Sequence, residues 1–168
     1  MMTLINYCKY INTIQLEYIL NLLPKQYQKL NVNIYLLSDK KQIYRYIKHR
    51  GIFKIIGKIV FHIPYNINGT CTDYNDIFIF TYQFNMSNTN EYRELAILNC
   101  IQTFIHELRH QYQKEYMTDK YKQYVINKRY QRNIKHDDRW EEIDAKIFSS
   151  EFMKNNFDKL INIIKKKE

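Results

Sequence analysis

The order of apolar patterns predicts an α+β domain: a small mixed or antiparallel sheet with an N-terminal helix, then a helical C-terminal half. Three observations carry this. Apolar residues recur at three- and four-residue spacing over residues 11–30. Short runs rich in β-branched and aromatic residues follow at 32–37, 53–63 and 76–84. From Glu91 onward the spacing is helical again. A chain of 168 residues fits one domain, 1–168, and no linker or repeat divides it.

In the first segment Ile11, Ile14, Leu16, Tyr18, Ile19, Leu22 and Leu23 keep helical spacing until Pro24, which lacks the backbone donor a helix interior needs. Val32 to Leu37 reads as a strand. Asp39 caps a short helix through about Lys48, which Gly51 ends. The β-like runs at 53–63 and 76–84 form a hairpin-like pair, and the Asn-, Gly-, Thr- and Asp-rich stretch between them reads as its loop. Ile97, Ile101, Phe104, Ile105 and Leu108 make the strongest helical stripe. After a polar, tyrosine-rich stretch from Tyr116 to about Lys135, Asp137 or Asp138 caps another helix, with Ile143, Ile147, Phe148 and Phe152 on its apolar face. Phe157, Leu160, Ile161 and Ile164 belong to a last amphipathic segment.

Composition narrows the function classes. The net charge is +9, from 26 basic and 17 acidic residues. Ile, Asn, Lys and Tyr are all abundant and share AT-rich codons, so genome bias accounts for an excess that is spread along the chain. A basic surface also suits nucleic acid, so that partner stays open, although no RNA-recognition or zinc-finger spacing occurs. Cys8, Cys71 and Cys100 are odd in number and far apart, which argues against a disulfide framework or a thiolate zinc site. Polar residues break up the first twenty positions and no apolar run reaches about eighteen residues, so neither a signal peptide nor a membrane span is expected. The expected compartment is the cytoplasm.

The strongest helix contains His106-Glu107-Leu108-Arg109-His110, an HExxH motif. Residues four apart project from one helix face about 6 Å apart along the axis, so two neutral imidazoles can grip one Zn²⁺. Glu107, one position after the first imidazole, can reach a water on the open side of the metal and act as the catalytic base. A catalytic zinc takes three protein ligands and leaves one position open. The metzincin extension is absent after His110. The third ligand is therefore sought among the acids of the later helix, Glu141, Glu142 and Asp144.

HELRH followed by EEIDAKIFSSEFM resembles the gluzincin arrangement, in which a Glu from a later helix completes the HExxH site. Within that clan it looks most like the ImmA/IrrE peptidases of bacteria and their mobile elements, with Glu142, Ala145, Phe148, Ser149, Ser150, Phe152 and Met153 on the family positions. The resemblance implies that Glu142 is the third ligand and that strand 76–84 borders the active-site cleft as an edge strand, where an extended protein or peptide substrate adds by strand pairing. Lys146 stands where the family usually has Asn or Asp, so Asp144 either supports a ligand or is one. The implied activity is hydrolysis of a regulatory protein. Tyr112, Tyr116, Tyr124, Tyr130 and His136 are the candidates for the donor that stabilises the oxyanion, His136 reading first as a surface residue beside a helix cap. Two other readings fit the residues. One is a SprT-like DNA-associated metalloprotease completed by a third histidine. The other is a basic nucleic-acid- or protein-binding module without catalysis.

Overall fold

The computed structural model describes residues 1–39, 41–42, 68–84 and 90–166. In chain order these form β1 (Thr3–Asn6), α1 (Thr13–Asn21), α2 (Lys25–Gln28), β2 (Asn33–Leu37), β3 (Gly69–Cys71), β4 (Asp76–Phe80) and a 3-10 turn (Thr81–Phe84). The helical half follows: α3 (Asn90–Tyr116), a helical turn (Thr118–Lys120) running into a π-helical one (Tyr121–Ile126), α4 (Lys128–Asn133), a 3-10 turn (His136–Asp138) and α5 (Trp140–Lys165). The α+β expectation holds, and the sheet is mixed. Its order is β1-β2-β4-β3, with β1, β2 and β4 parallel and β3 antiparallel to β4.

The parallel strands explain the unbroken apolar runs. Strands covered on both faces have no solvent side to mark with polar residues. Ile34, Leu36, Ile77 and Ile79 enter the main core, while Tyr35 and Phe78 stack on the other face at 4.9 Å between ring centroids. Against the first face pack the stripe of α3 (Ile97, Ile101, Phe104, Ile105, Leu108), Leu16 and Ile19 of α1, and Phe152 and Leu160 of α5. Asn12 and Gln15 close α1 with a reciprocal capping box, and α1 gives way to α2 at Pro24.

Several expectations change. Strand β1 was not foreseen: four residues with mixed exposure carry too little pattern. Strand β4 is not an edge, because β2 and β3 flank it, and the outer strand on the cleft side among the described residues is β3, within the stretch read as a loop. The apolar face expected for α5 holds only at Phe148 and Phe152, which turn inward. Ile143 and Ile147 are exposed, and the buried stripe is Glu142, Ala145, Ser149 and Phe152. That stripe keeps helical spacing but is small or charged at its start, so apolarity alone adds Ile143 and Ile147 from the far side. Neither Asp137 nor Asp138 caps α5: they lie in the preceding turn, and Arg139 holds the cap position without a side-chain bond. Asp39 does accept the N–H groups of Lys41 and Gln42, but the rest of its expected helix and the 53–63 strand lie outside the described residues.

Candidate metal centre

Helix α3 turns its apolar stripe to the sheet and α5, which leaves the flank with His106 and His110 facing a cleft. The first turn of α5 brings Glu142 to the same point. Glu142 Oε2 lies 3.3 Å from His106 Nε2, its Oε1 lies 3.5 Å from His110 Nε2, and the two Nε2 atoms are 3.1 Å apart. One ligand atom from each residue falls within 4.8 Å of the others, so the three can hold a metal ion. Glu141 and Asp144 stand outside that group.

The hydrogen-bond network of His110 fits this donor set. Gln113 donates its amide to the Glu141 carbonyl at 2.9 Å and to Asp144 Oδ2 at 2.7 Å. Both partners only accept, so the amide cannot be flipped, and its Oε1 faces His110 Nδ1 at 3.0 Å. Nδ1 therefore carries a proton, and the Nε2 that faces His106 and Glu142 offers a lone pair once the ring is neutral. Two imidazole nitrogens meeting a carboxylate at one point suit a cation. Asp144 is itself held by Arg109, through Nε at 2.6 Å and Nη2 at 3.0 Å. Asp144 thus supports a ligand at second hand, through Gln113.

Glu107 lies between α3 and β3. A Cβ on Gly69 would meet Glu107 Cγ at 3.0 Å and Thr103 Cγ2 at 2.9 Å, so β3 approaches this closely only because residue 69 has no side chain. The Cys71 backbone N–H donates to the Glu107 carboxylate. Burial raises the Glu107 pKa and the Glu142 charge adds to it, while His110, His106 and the Cys71 N–H pull the other way. Burial likewise pushes the Cys71 thiol up to about 12. Among the described residues Cys8, Cys71 and Cys100 form no disulfide.

The cleft holds about 700 Å³ and is lined by Cys71, His106, Glu107, Tyr121, His136 and Glu142 among others. A second hollow of about 720 Å³ opens on the other side of His106 and shares Asn68 and Thr103 with the first. Of the expected oxyanion donors, only His136 reaches this place: it is exposed, and its Nε2 lies 3.2 Å from Glu142 Oε1. Tyr112 is stacked between Tyr27 and Tyr116 on another side of α3, which also removes Tyr116. Tyr130 accepts the Trp140 N–H with its hydroxyl and packs on Tyr124, so both serve the start of α5. Two residues were missed. Gln113 follows His110 at i+3, a spacing that shares a helix face and could have revealed it. Tyr121, the tyrosine that does line the cleft, carries no such signal.

The metal-free protein has a testable pH signature. Burial lowers the His110 pKa, but the Glu142 hydrogen bond, the charges of Glu107 and Glu142, and Gln113 outweigh it and raise it to about 9. The ordinary value is 6.5. A folded pKa above the unfolded one means that the stabilisation is complete below 6.5 and fades as pH rises through about 9. A divalent cation must displace that proton. Binding near neutral pH is expected to release about one proton, and affinity to weaken as pH falls from about 9. Calorimetry in buffers of different ionisation heat measures the release, and a value near zero would contradict this account.

No protein-family profile, curated protein or solved structure matches the chain. Among the described residues no helix is long and apolar enough to cross a membrane.

Proposed function

We propose that this chain is a zinc-dependent endopeptidase of the gluzincin type, related to the ImmA/IrrE peptidases and acting in the cytoplasm. The observation that carries the reading is the convergence of His106, His110 and Glu142 beside the buried Glu107 in an open cleft. Two imidazoles and one carboxylate with room for a fourth ligand are the donor set of a catalytic zinc. Zinc held there supplies an acidified water and a Lewis acid for the carbonyl oxygen. Glu107 takes the water proton as the new C–O bond forms at the peptide carbon. It then passes the proton to the amide nitrogen as the C–N bond breaks. The raised pKa of Glu107 suits a group that must both accept and return a proton. His136 is our candidate for the donor to the oxyanion, on the strength of its position beside Glu142. The substrate is a protein or peptide, by analogy a regulatory protein of a mobile element.

Metal content decides first. Purified protein is expected to carry about one zinc per chain, and Glu142→Ala to weaken zinc binding by at least about a hundredfold. Elemental analysis and chelator competition read both. His136 lies close enough to Glu142 to keep the SprT-like reading in view. Zinc lost in His136→Ala but retained in Glu142→Ala would favour it. Protein that takes up no zinc, yet binds DNA with strong salt dependence, would hand the lead to the binding module.

A further inference from the structure

Glu141 precedes Glu142 in the first turn of α5 and lines the same cleft. Its exposure is only 7%. One carboxylate oxygen, Oε1, accepts from Gln131 Nε2 at 2.9 Å, while the other, Oε2, is buried with no hydrogen-bond partner among the described residues. A carboxylate oxygen withdrawn from water without a donor is costly, and such groups are normally paired. The basic side chains lining the cleft do not meet this need. Lys114 donates to the Asp73 carbonyl at 2.7 Å and to Asn75 Oδ1 at 2.9 Å. Arg139 donates to the carbonyls of Gln131 and Ile134. In a chain of net charge +9, the wall of the cleft keeps an acid whose second oxygen has no donor.

We infer that Glu141 is a specificity residue that receives the cationic side chain, lysine or arginine, of a peptide lying across the site. This rests on the peptidase reading. The hollows on both sides of His106 let a chain continue in either direction, which suits a side chain in the middle of a polypeptide and not a terminal amine. Because Glu141 adjoins the ligand Glu142, the basic residue sits close to the bond that is cut. A charge pair formed inside a cleft discriminates strongly, since a neutral side chain leaves the carboxylate unpaired.

The test uses zinc-loaded full-length protein and a library of proteome-derived peptides, with cut sites read by mass spectrometry. Cuts made by the wild type and missing from Glu107→Gln are expected to carry Lys or Arg at one fixed position. A matched pair of quenched peptides, differing only in Lys or Leu at that position, then gives a ratio of kcat/KM. Glu141→Gln keeps the shape and the Gln131 contact, and is expected to lower that ratio about tenfold or more. No basic preference, a ratio unmoved by Glu141→Gln, or an equal loss on both peptides would overturn the inference and leave the peptidase standing. No cutting by zinc-loaded wild type would remove the peptidase reading and this inference with it.

Discussion

Glu107→Gln is expected to lower kcat/KM on a peptide that the wild type cuts by about a thousandfold or more, while zinc content stays near one per chain. The amide keeps the volume of the carboxyl and can still accept the Cys71 N–H, but it cannot take a proton from water. In the metal-free protein the same change is expected to raise thermal stability. Burial holds the Glu107 pKa up, so at neutral pH its ionised form is disfavoured by the fold. For an acid with a raised folded pKa, stability falls as pH climbs through the ordinary carboxyl value, and the neutral amide removes that penalty. Loss of activity with a gain in melting temperature is the signature of a functional residue held against the interest of the fold. Activity near the wild-type level would place the base elsewhere.

The site was legible because its chemistry follows helix arithmetic. His106 and His110 share a face by their spacing alone, and Gln113 shares it by the same rule. Strands β2 and β4 were legible because burial on both faces leaves continuous apolar runs. What the sequence concealed depends on partners far along the chain. Strand β3 has three residues, of which only Thr70 favours a strand, and exists through its pairing with β4 and through Gly69, which lets it lie against Glu107. The start of the inward face of α5 was hidden because it buries carboxylates and small residues where a packing helix buries leucines. The tyrosines could not be sorted either. Whether a ring stacks on Tyr27, as Tyr112 does, or lines the cleft, as Tyr121 does, is decided by tertiary contacts.

Asp144→Ala is expected to damage both stability and metal affinity, and a second variant separates the two effects. Arg109 meets Asp144 with two donors, sends Nη1 to the Tyr27 hydroxyl at 2.8 Å, and lies over the rings of Tyr112 and Phe148. Removing the carboxylate leaves a half-buried guanidinium with no counter-ion, a loss of about 2–4 kcal/mol. In a chain of this size that lowers the melting temperature by roughly 5–15 °C. Burial opposes ionisation of Asp144, but Arg109 and Gln113 outweigh it and depress its pKa. Its stabilising effect is therefore complete above the ordinary carboxyl range and lost as pH falls through the depressed value, so the deficit of the variant should be steady from about pH 5 to 8 and shrink only in stronger acid. Loss of the Asp144 acceptor also leaves Gln113 with only the Glu141 carbonyl and loosens the orientation of His110, which is expected to weaken zinc binding about 10–100-fold. Replacing both Arg109 and Asp144 with apolar residues of similar volume removes the stranded charge. That double variant is expected to recover much of the stability but none of the zinc affinity, because Gln113 still lacks its second acceptor. Recovery of both would show that the ion pair acts on the fold alone and that Gln113 orients His110 unaided.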